Sequence, residues 1–137
     1  MAASVIVDAS FLVALLNRRD TSHGWAADQA LRSPPPWHTC EAVLSEAFHL
    51  LGPPGRPALA GLLHRRPLVC VFHLAEHAEE VLALMQKYER VPMSFADACL
   101  VRMTELLTDP LLLTADADFR IYRRHSRQVI PTAMPRN

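Results

Sequence analysis

The sequence carries no net charge and almost no lysine. Its 14 Lys and Arg residues balance 14 Asp and Glu residues, which excludes a uniformly basic surface for binding nucleic acid. Lys87 is the only lysine. Active sites that require a dedicated lysine at the end of a strand are therefore disfavoured.

Long apolar runs are also missing. The longest early run covers residues 11–16, far short of the roughly 20 residues that a membrane-spanning helix needs. The first residues contain no Lys or Arg, and Asp8 interrupts the first apolar stretch. We therefore expect neither a signal peptide nor an association with the membrane.

Cysteine is scarce as well. Cys40, Cys70 and Cys99 are widely spaced, and their number is odd. The pattern lacks a Cys-x-x-Cys pair and favours reduced, buried thiols over a disulfide framework. This use of cysteine predicts a cytoplasmic protein.

The composition is that of a globular protein. Half of the 137 residues are hydrophobic and 20% are charged, which is enough apolar material to form a core without disulfides. No repeat, low-complexity segment or linker is visible. We expect residues 1–137 to form a single domain.

Short β-branched or apolar runs alternate with amphipathic stretches. Strands are predicted at residues 5–7, 68–72, 111–113 and 129–130, with a short edge strand at 37–39. Ser10 is expected to be the N-cap of the first helix, and a later helix is expected to end at residues 52–55. Further helices are expected to cover residues 56–66, 75–90 and 116–125. Such alternation predicts an α/β fold with a mainly parallel sheet and helices on its faces.

Two acids follow predicted strands, one directly and the other three residues later. Asp8 comes after the run Val-Ile-Val, and Asp116 ends the segment Leu-Leu-Leu-Thr-Ala-Asp. The carboxyl ends of parallel strands share one edge of the sheet, where such folds place their functional sites. The alternative is that each acid caps the helix that follows it, although Ser10 is the better cap of the first helix.

Two further acids lie beside apolar positions of predicted helices. Glu46 is flanked by Val43 and Leu50, and Asp97 is followed by Leu100 and Val101. A carboxylate near a core-facing stripe is costly unless it is paired or bound to a metal. The alternatives are a capping box with Ser94 for Asp97 and an ion-paired boundary position for Glu46.

Oxygen atoms dominate the available metal ligands. The seven histidines are scattered along the chain, and each is better interpreted as a surface or boundary residue. Sites built only from oxygen select hard cations such as Mg²⁺ or Mn²⁺. These ions activate water and stabilise the transition state of phosphodiester hydrolysis.

The four acids with their neighbours resemble the PIN domain of metal-dependent ribonucleases, especially the stand-alone VapC toxins. The resemblance spans nearly the whole chain, and its last two segments are the most specific. It rests on Val-Ile-Val-Asp8-Ala-Ser10, on Thr39 with Val-Leu-Ser-Glu46, on Ser-Phe-Ala-Asp97-Ala, and on Leu-Thr114-Ala-Asp116-Ala-Asp118-Phe119. It implies a three-layer fold with a parallel five-stranded sheet flanked by helices.

The resemblance also implies a role for each acid. Asp8 and Asp97 would be the principal Mg²⁺ or Mn²⁺ ligands, Asp116 a third acid of the metal site, and Glu46 a ligand or a base that orients water. The hydroxyl groups of Ser10 and Thr114 would support them. Asp118 and Glu41 are interpreted as acids in the first turns of helices.

The implied activity is endoribonuclease cleavage, in which metal-activated water hydrolyses RNA phosphodiesters. The implied biology is the toxin of a type II toxin–antitoxin pair, held inactive by a cognate antitoxin protein. A homodimer is an open alternative to a monomer.

The arginines near the C-terminus form a local cationic segment. No acid follows Asp118, whereas Arg120, Arg123, Arg124 and Arg127 do. They are candidates for contacts with RNA phosphates. The equally weighted alternative is a solvated helix face that complements the helix dipole.

Other functions on a similar sheet are less consistent with the sequence. A phosphoacceptor domain would need a lysine at the site, but Lys87 lies in mid-helix. A phosphatase of the haloacid dehalogenase type would need an acid two residues after Asp8, where Ser10 stands. The remaining alternative is a non-catalytic PIN-fold module that binds RNA or protein, which the loss of a core acid would favour.

Overall fold

A five-stranded parallel sheet organises the computed structural model, which describes residues 3–136. Its strands are β1 (Ser4–Val7), β2 (Trp37–Thr39), β3 (Leu68–Cys70), β4 (Pro110–Leu113) and β7 (Thr132–Ala133). A separate hairpin pairs β5 (Arg123–Arg124) with β6 (Gln128–Val129). The strand order of the parallel sheet is β3-β2-β1-β4-β7. The predicted α/β class and parallel five-stranded sheet are confirmed.

Five α-helices flank this sheet. They are α1 (Ala9–Leu16), α2 (His23–Arg32), α3 (Glu41–Arg65), α4 (Ala78–Lys87) and α5 (Phe95–Leu106). Helix α1 packs against both α2 and α3, and α4 packs against α5. No helix in residues 3–136 is both long enough and apolar enough to cross a membrane.

The central strand pair determines where the site lies. β1 consists mainly of β-branched residues, and it pairs in parallel with β4 from Ser4 opposite Pro110 to Val7 opposite Leu113. From β1 the chain builds the sheet outward through β2 and β3, then returns to add β4 on the other side. The boundary between β1 and β4 is thus the switch point at which parallel sheets form sites.

Helix α3 contains the predicted break at Gly52 but continues beyond it. Gly52 has φ 66° and ψ −173°, a conformation that glycine adopts without steric cost. Pro53 and Pro54 then lie at the start of the second helical segment, where the N–H that proline lacks would have no partner within the helix. Residues 53–55 therefore begin a helix and do not form the loop that was expected.

The predicted C-terminal helix and last strand are wrong. Only Ala117–Arg120 is helical, as one 3-10 turn, because His125 and Ser126 adopt positive φ and turn the chain into the β5–β6 hairpin. Val129 pairs with Arg123 in that hairpin. The fifth strand of the parallel sheet is Thr132–Ala133, beside β4.

Four smaller predictions also need correction. Strand β2 lies inside the sheet and not at its edge, because β3 pairs on its outer side. The helix predicted at residues 75–90 is a 3-10 turn (Leu74–Glu76) followed by α4. The strand predicted at residues 68–72 is β3, which ends two residues earlier. The N-cap of α1 is Asp8 and not Ser10.

Candidate active site

Asp8 lies at the end of β1 and is held by two hydroxyl groups. Its Oδ2 accepts hydrogen bonds from Thr114 Oγ1 at 2.7 Å and from Ser10 Oγ at 3.1 Å, and its Oδ1 accepts from the Ala9 N–H at 2.7 Å. The backbone N–H of Asp8 donates to Leu113 O, which keeps it in register with β4. Asp8 therefore caps α1 and presents a fixed carboxylate at the sheet edge.

Ser10 and Thr114 join the turn after β4 to the end of β1. Ser10 Oγ accepts from the Ala115 N–H at 2.9 Å, and Thr114 Oγ1 accepts from the Asp116 N–H at 3.0 Å. Asp116 Oδ1 in turn accepts from the Asp118 N–H at 2.9 Å, so Asp116 caps the 3-10 turn. The second carboxylate oxygen of Asp116 has no hydrogen bond within residues 3–136.

Asp97 reaches the same edge from the first turn of α5. Ser94 is the N-cap of this helix, and its Oγ accepts from the Asp97 N–H at 3.0 Å. The Asp97 carboxylate is buried, and its Oδ2 accepts from the hydroxyl of Tyr122 at 2.9 Å. The predicted capping box is thus half formed, and the carboxylate is turned toward Tyr122.

Glu46 completes the group from the second turn of α3. Its side chain is solvent-exposed, unlike the buried Asp8 and Asp97, although Val43, one turn earlier, faces the core as predicted. Leu50, one turn further, is also exposed. Glu46 forms no hydrogen bond or ion pair within the described part of the chain.

The four acids are close enough to perturb one another electrostatically. Although Glu46 is exposed, partial desolvation of its carboxylate, followed by the charges of Asp97 and Asp116, raises its pKa. Burial raises the pKa of Asp97 to about 6, an effect reinforced by Asp8 and Asp116 and partly offset by the hydroxyl of Tyr122. Burial also raises the pKa of Asp8, where hydrogen bonds oppose it and the charge of Asp116 adds to it.

This negative charge has no cationic partner among residues 3–136. The ion pairs there join Arg32 to Asp28 and Arg102 to Glu105, away from the four acids. No three His, Cys, Asp or Glu side chains of those residues already form a ligand cluster. The donor set nevertheless fits a hard divalent cation, since it offers only oxygens and carries uncompensated charge.

Comparison with known proteins identifies this arrangement. The PIN-domain family matches residues 5–124 of the chain. The chain belongs to this family. Its structure is also similar to that of VapC20 from Mycobacterium tuberculosis, described as a sarcin–ricin loop cleaving toxin, with a TM-score of 0.72 and 26% sequence identity over 84% of this chain and 92% of that chain. No curated protein matches the chain.

The match confirms the expectation of a VapC-like PIN-domain ribonuclease with the fold that the family implies. PIN-domain nucleases generally use divalent metal ions. The structure brings Asp8, Glu46, Asp97 and Asp116 to one edge of this PIN domain, with Ser10 and Thr114 between the two central strands. The roles of these residues remain predictions.

The four arginines after Asp118 differ in the hydrogen bonds that their side chains form. Arg124 donates two hydrogen bonds to Thr104 O, at 3.0 and 2.6 Å, and a third to Gln128. Arg123 Nη1 donates to three backbone carbonyls, those of residues 120–122. Arg120 and Arg127 are exposed, and their side chains have no hydrogen bond within residues 3–136.

Tyr122 and the local role of Thr39 were not predicted from the sequence. Tyr122 is fully buried, and its ring packs edge-to-face against Phe119 and against Tyr88. Thr39 is buried at the end of β2, where its hydroxyl donates to Val7 O at 3.1 Å. The spacing Asp118-Phe119-x-x-Tyr122 was the available signal, but the contact with Asp97 depends on the tertiary fold.

Proposed function

We propose that this protein is a Mg²⁺- or Mn²⁺-dependent endoribonuclease, the toxin of a type II toxin–antitoxin pair. One observation carries the proposal. Asp8, Glu46, Asp97 and Asp116 lie at the carboxyl edge of a PIN-domain sheet, the charge of Asp116 contributes to the raised pKa of the other three, and the four acids have no cationic partner in the described chain. Such a site has the charge and donors to hold divalent metal beside a phosphodiester.

Each acid has a role that its surroundings support. Asp8 and Asp97 are buried and fixed by hydroxyl groups, which suits metal ligands that must keep one orientation. Within residues 3–136, one carboxylate oxygen of Asp116 accepts no hydrogen bond. Glu46 is exposed with a raised pKa, so it can accept a proton from the attacking water. A bound divalent ion supplies charge neutralisation at the phosphate and a more acidic water.

The description of VapC20 as a sarcin–ricin loop cleaving toxin supports RNA as the substrate class. An RNA oligonucleotide carrying that loop is therefore the first substrate to test. The same relationship supports a cognate antitoxin as the protein partner. In growing cells, induction of the wild-type chain should arrest growth, and induction of the Asp8→Asn variant should not.

The decisive experiment compares matched carboxylate variants in a purified RNA-cleavage assay. We expect wild-type protein to cut with Mg²⁺ or Mn²⁺ and to stop in EDTA. Asp8→Asn, Asp97→Asn and Glu46→Gln should lose cleavage. Glu41→Gln should retain it, because Glu41 is exposed in the first turn of the same helix as Glu46.

Other results would contradict the proposal in specific ways. Full cleavage in EDTA by metal-free protein would exclude the metal role. RNA binding without cleavage by the wild-type protein, under every metal condition, would favour a non-catalytic PIN-fold binding module.

A further inference from the structure

Two groups could donate a hydrogen bond to the Asp97 carboxylate, the backbone N–H of Ser94 and the hydroxyl of Tyr122. At the third residue of α5, an acid can accept a hydrogen bond from the backbone N–H of the N-cap residue and so complete a capping box. The N-cap hydroxyl of Ser94 does accept from the Asp97 N–H. The reciprocal bond from the Ser94 N–H is not formed within the described residues, and Asp97 Oδ2 instead accepts from Tyr122.

Tyr122 is held where it can make this contact. Its side chain is fully buried, with its ring 5.2 Å from that of Phe119 and 5.1 Å from that of Tyr88, centroid to centroid. The Tyr88 hydroxyl accepts from the Arg123 N–H at 3.1 Å and thereby fixes the residue next to Tyr122. Packed rings on two sides allow the Tyr122 hydroxyl little freedom.

The Tyr122 hydroxyl is a donor at the relevant pH. A phenol has an ordinary pKa of about 10, so at neutral pH it keeps its proton and donates to the carboxylate of Asp97. Because the phenol donates to Oδ2, the other oxygen of Asp97, Oδ1, remains without a hydrogen bond within residues 3–136. Hydrogen bonds of this kind orient metal-ligating carboxylates and influence metal affinity.

We propose that Tyr122 is a positioning residue of the active site, whose hydroxyl holds Oδ2 of Asp97 and leaves Oδ1 to bind the divalent cation. The contact also ties the segment after Asp116 to the start of α5, so that two acids from distant parts of the chain share one support. This inference rests on the proposed function, because it assigns Asp97 to the metal site.

The test compares Tyr122→Phe with Tyr88→Phe. Both variants keep an aromatic ring in the same cluster and lose one hydroxyl, but only the hydroxyl of Tyr122 contacts an acid. Mn²⁺ affinity is measured by calorimetry, thermal stability by circular dichroism, and RNA cleavage over a series of Mg²⁺ concentrations. We expect Tyr122→Phe to weaken Mn²⁺ binding by about 10-fold or more, with cleavage recovering at high Mg²⁺.

Tyr88→Phe should bind Mn²⁺ as the wild type does, even if its melting temperature falls. Unchanged Mn²⁺ affinity in Tyr122→Phe would overturn the inference while leaving the proposed function intact. A Tyr122→Phe chain that no longer folds would assign the hydroxyl to fold stability alone, which also overturns it. If the wild type neither binds Mn²⁺ nor cleaves RNA, the proposed function fails, and the inference fails with it.

Discussion

Thr114 donates its hydroxyl proton to Oδ2 of Asp8 across 2.7 Å, although 106 residues separate them in sequence. The bond crosses between the two central strands at their carboxyl ends. It is buried, and Ser10 lies within 3.3 Å of the same hydroxyl. Thr114 therefore both satisfies the Asp8 carboxylate and fixes the turn that carries Asp116.

Removal of the Thr114 hydroxyl should impair the site more than the fold. In Thr114→Val the side chain keeps its shape but cannot donate to Asp8 or accept from the Asp116 N–H. We expect RNA cleavage to fall by about 10- to 100-fold, the usual cost of losing a hydrogen bond to a metal ligand. Thr114→Ser retains the hydroxyl and should stay close to wild type in the same assay; equal losses in the two variants would contradict this.

The stability of the fold should fall as pH rises through the mildly acidic range. The pKa of Asp97 is about 6 in the folded protein against an ordinary 3.8, so the folded state binds this proton more tightly than the unfolded state. The free energy of unfolding in EDTA should then decrease between about pH 4 and pH 6 and flatten above. The raised pKa values of Asp8 and Glu46 act in the same direction.

Denaturant titrations at several pH values check this trend. Asp97→Asn removes one of the contributing groups and should give a flatter curve than wild type. A wild-type free energy of unfolding that increases over the same pH range would contradict the raised pKa values of Asp8, Glu46 and Asp97.

Arg124 should contribute to stability. Its guanidinium donates two hydrogen bonds to the buried Thr104 carbonyl in the last turn of α5. Arg124→Ala should lower the free energy of unfolding by about 1–3 kcal/mol, because a buried carbonyl loses its partner. Arg120→Ala should leave stability unchanged, since Arg120 is exposed; urea denaturation of the two variants compares them directly.

Contacts with RNA phosphates are better tested at Arg120 and Arg127. A double alanine variant at these two exposed positions should weaken RNA binding regardless of sequence. The slope of log affinity against log salt should become shallower by roughly one unit for each lost phosphate contact. Fluorescence anisotropy at four salt concentrations measures both effects, and an unchanged slope would assign the two arginines to a solvated surface.

The bend in α3 should depend on Gly52. Its φ of 66° with ψ of −173° is strained for any residue with a Cβ. Gly52→Ala should therefore destabilise the protein by about 1–3 kcal/mol. Gly24→Ala is the matched control, because Gly24 is helical and an added Cβ would meet nothing within 4 Å; its melting temperature should be equal or higher.

Sequence patterns were sufficient for the class of fold and the main strands. The β-branched run before Asp8 and the leucine run before Thr114 predicted β1 and β4, because few other structures accommodate short apolar runs between amphipathic stretches. The hairpin after Arg120 escaped prediction since it depends on positive φ at His125 and Ser126, which neither residue signals. β2 was misplaced at the edge because strand order is a property of the tertiary fold.

The acids of the site could be predicted, but their environment could not. Asp8 and Asp116 follow strands, and that position alone brings them to one edge. The cap of α1 was assigned to Ser10 because serine is a good N-cap, yet Asp8 fills this place and leaves Ser10 to bridge to Ala115. Tyr122 went unnoticed because its partner, Asp97, is 25 residues away.

The pairing of β1 with β4 has a consequence for synthesis on the ribosome. Asp8 emerges early, but its partner strand, Thr114 and Tyr122 are translated about a hundred residues later. A nascent chain that lacks this late segment has neither the β1–β4 pair nor the hydroxyl groups that orient Asp8 and Asp97. On the proposed function, a nascent chain without Thr114 and Tyr122 would therefore lack an assembled site for RNA cleavage, and synthesis of this late segment would set when activity can begin.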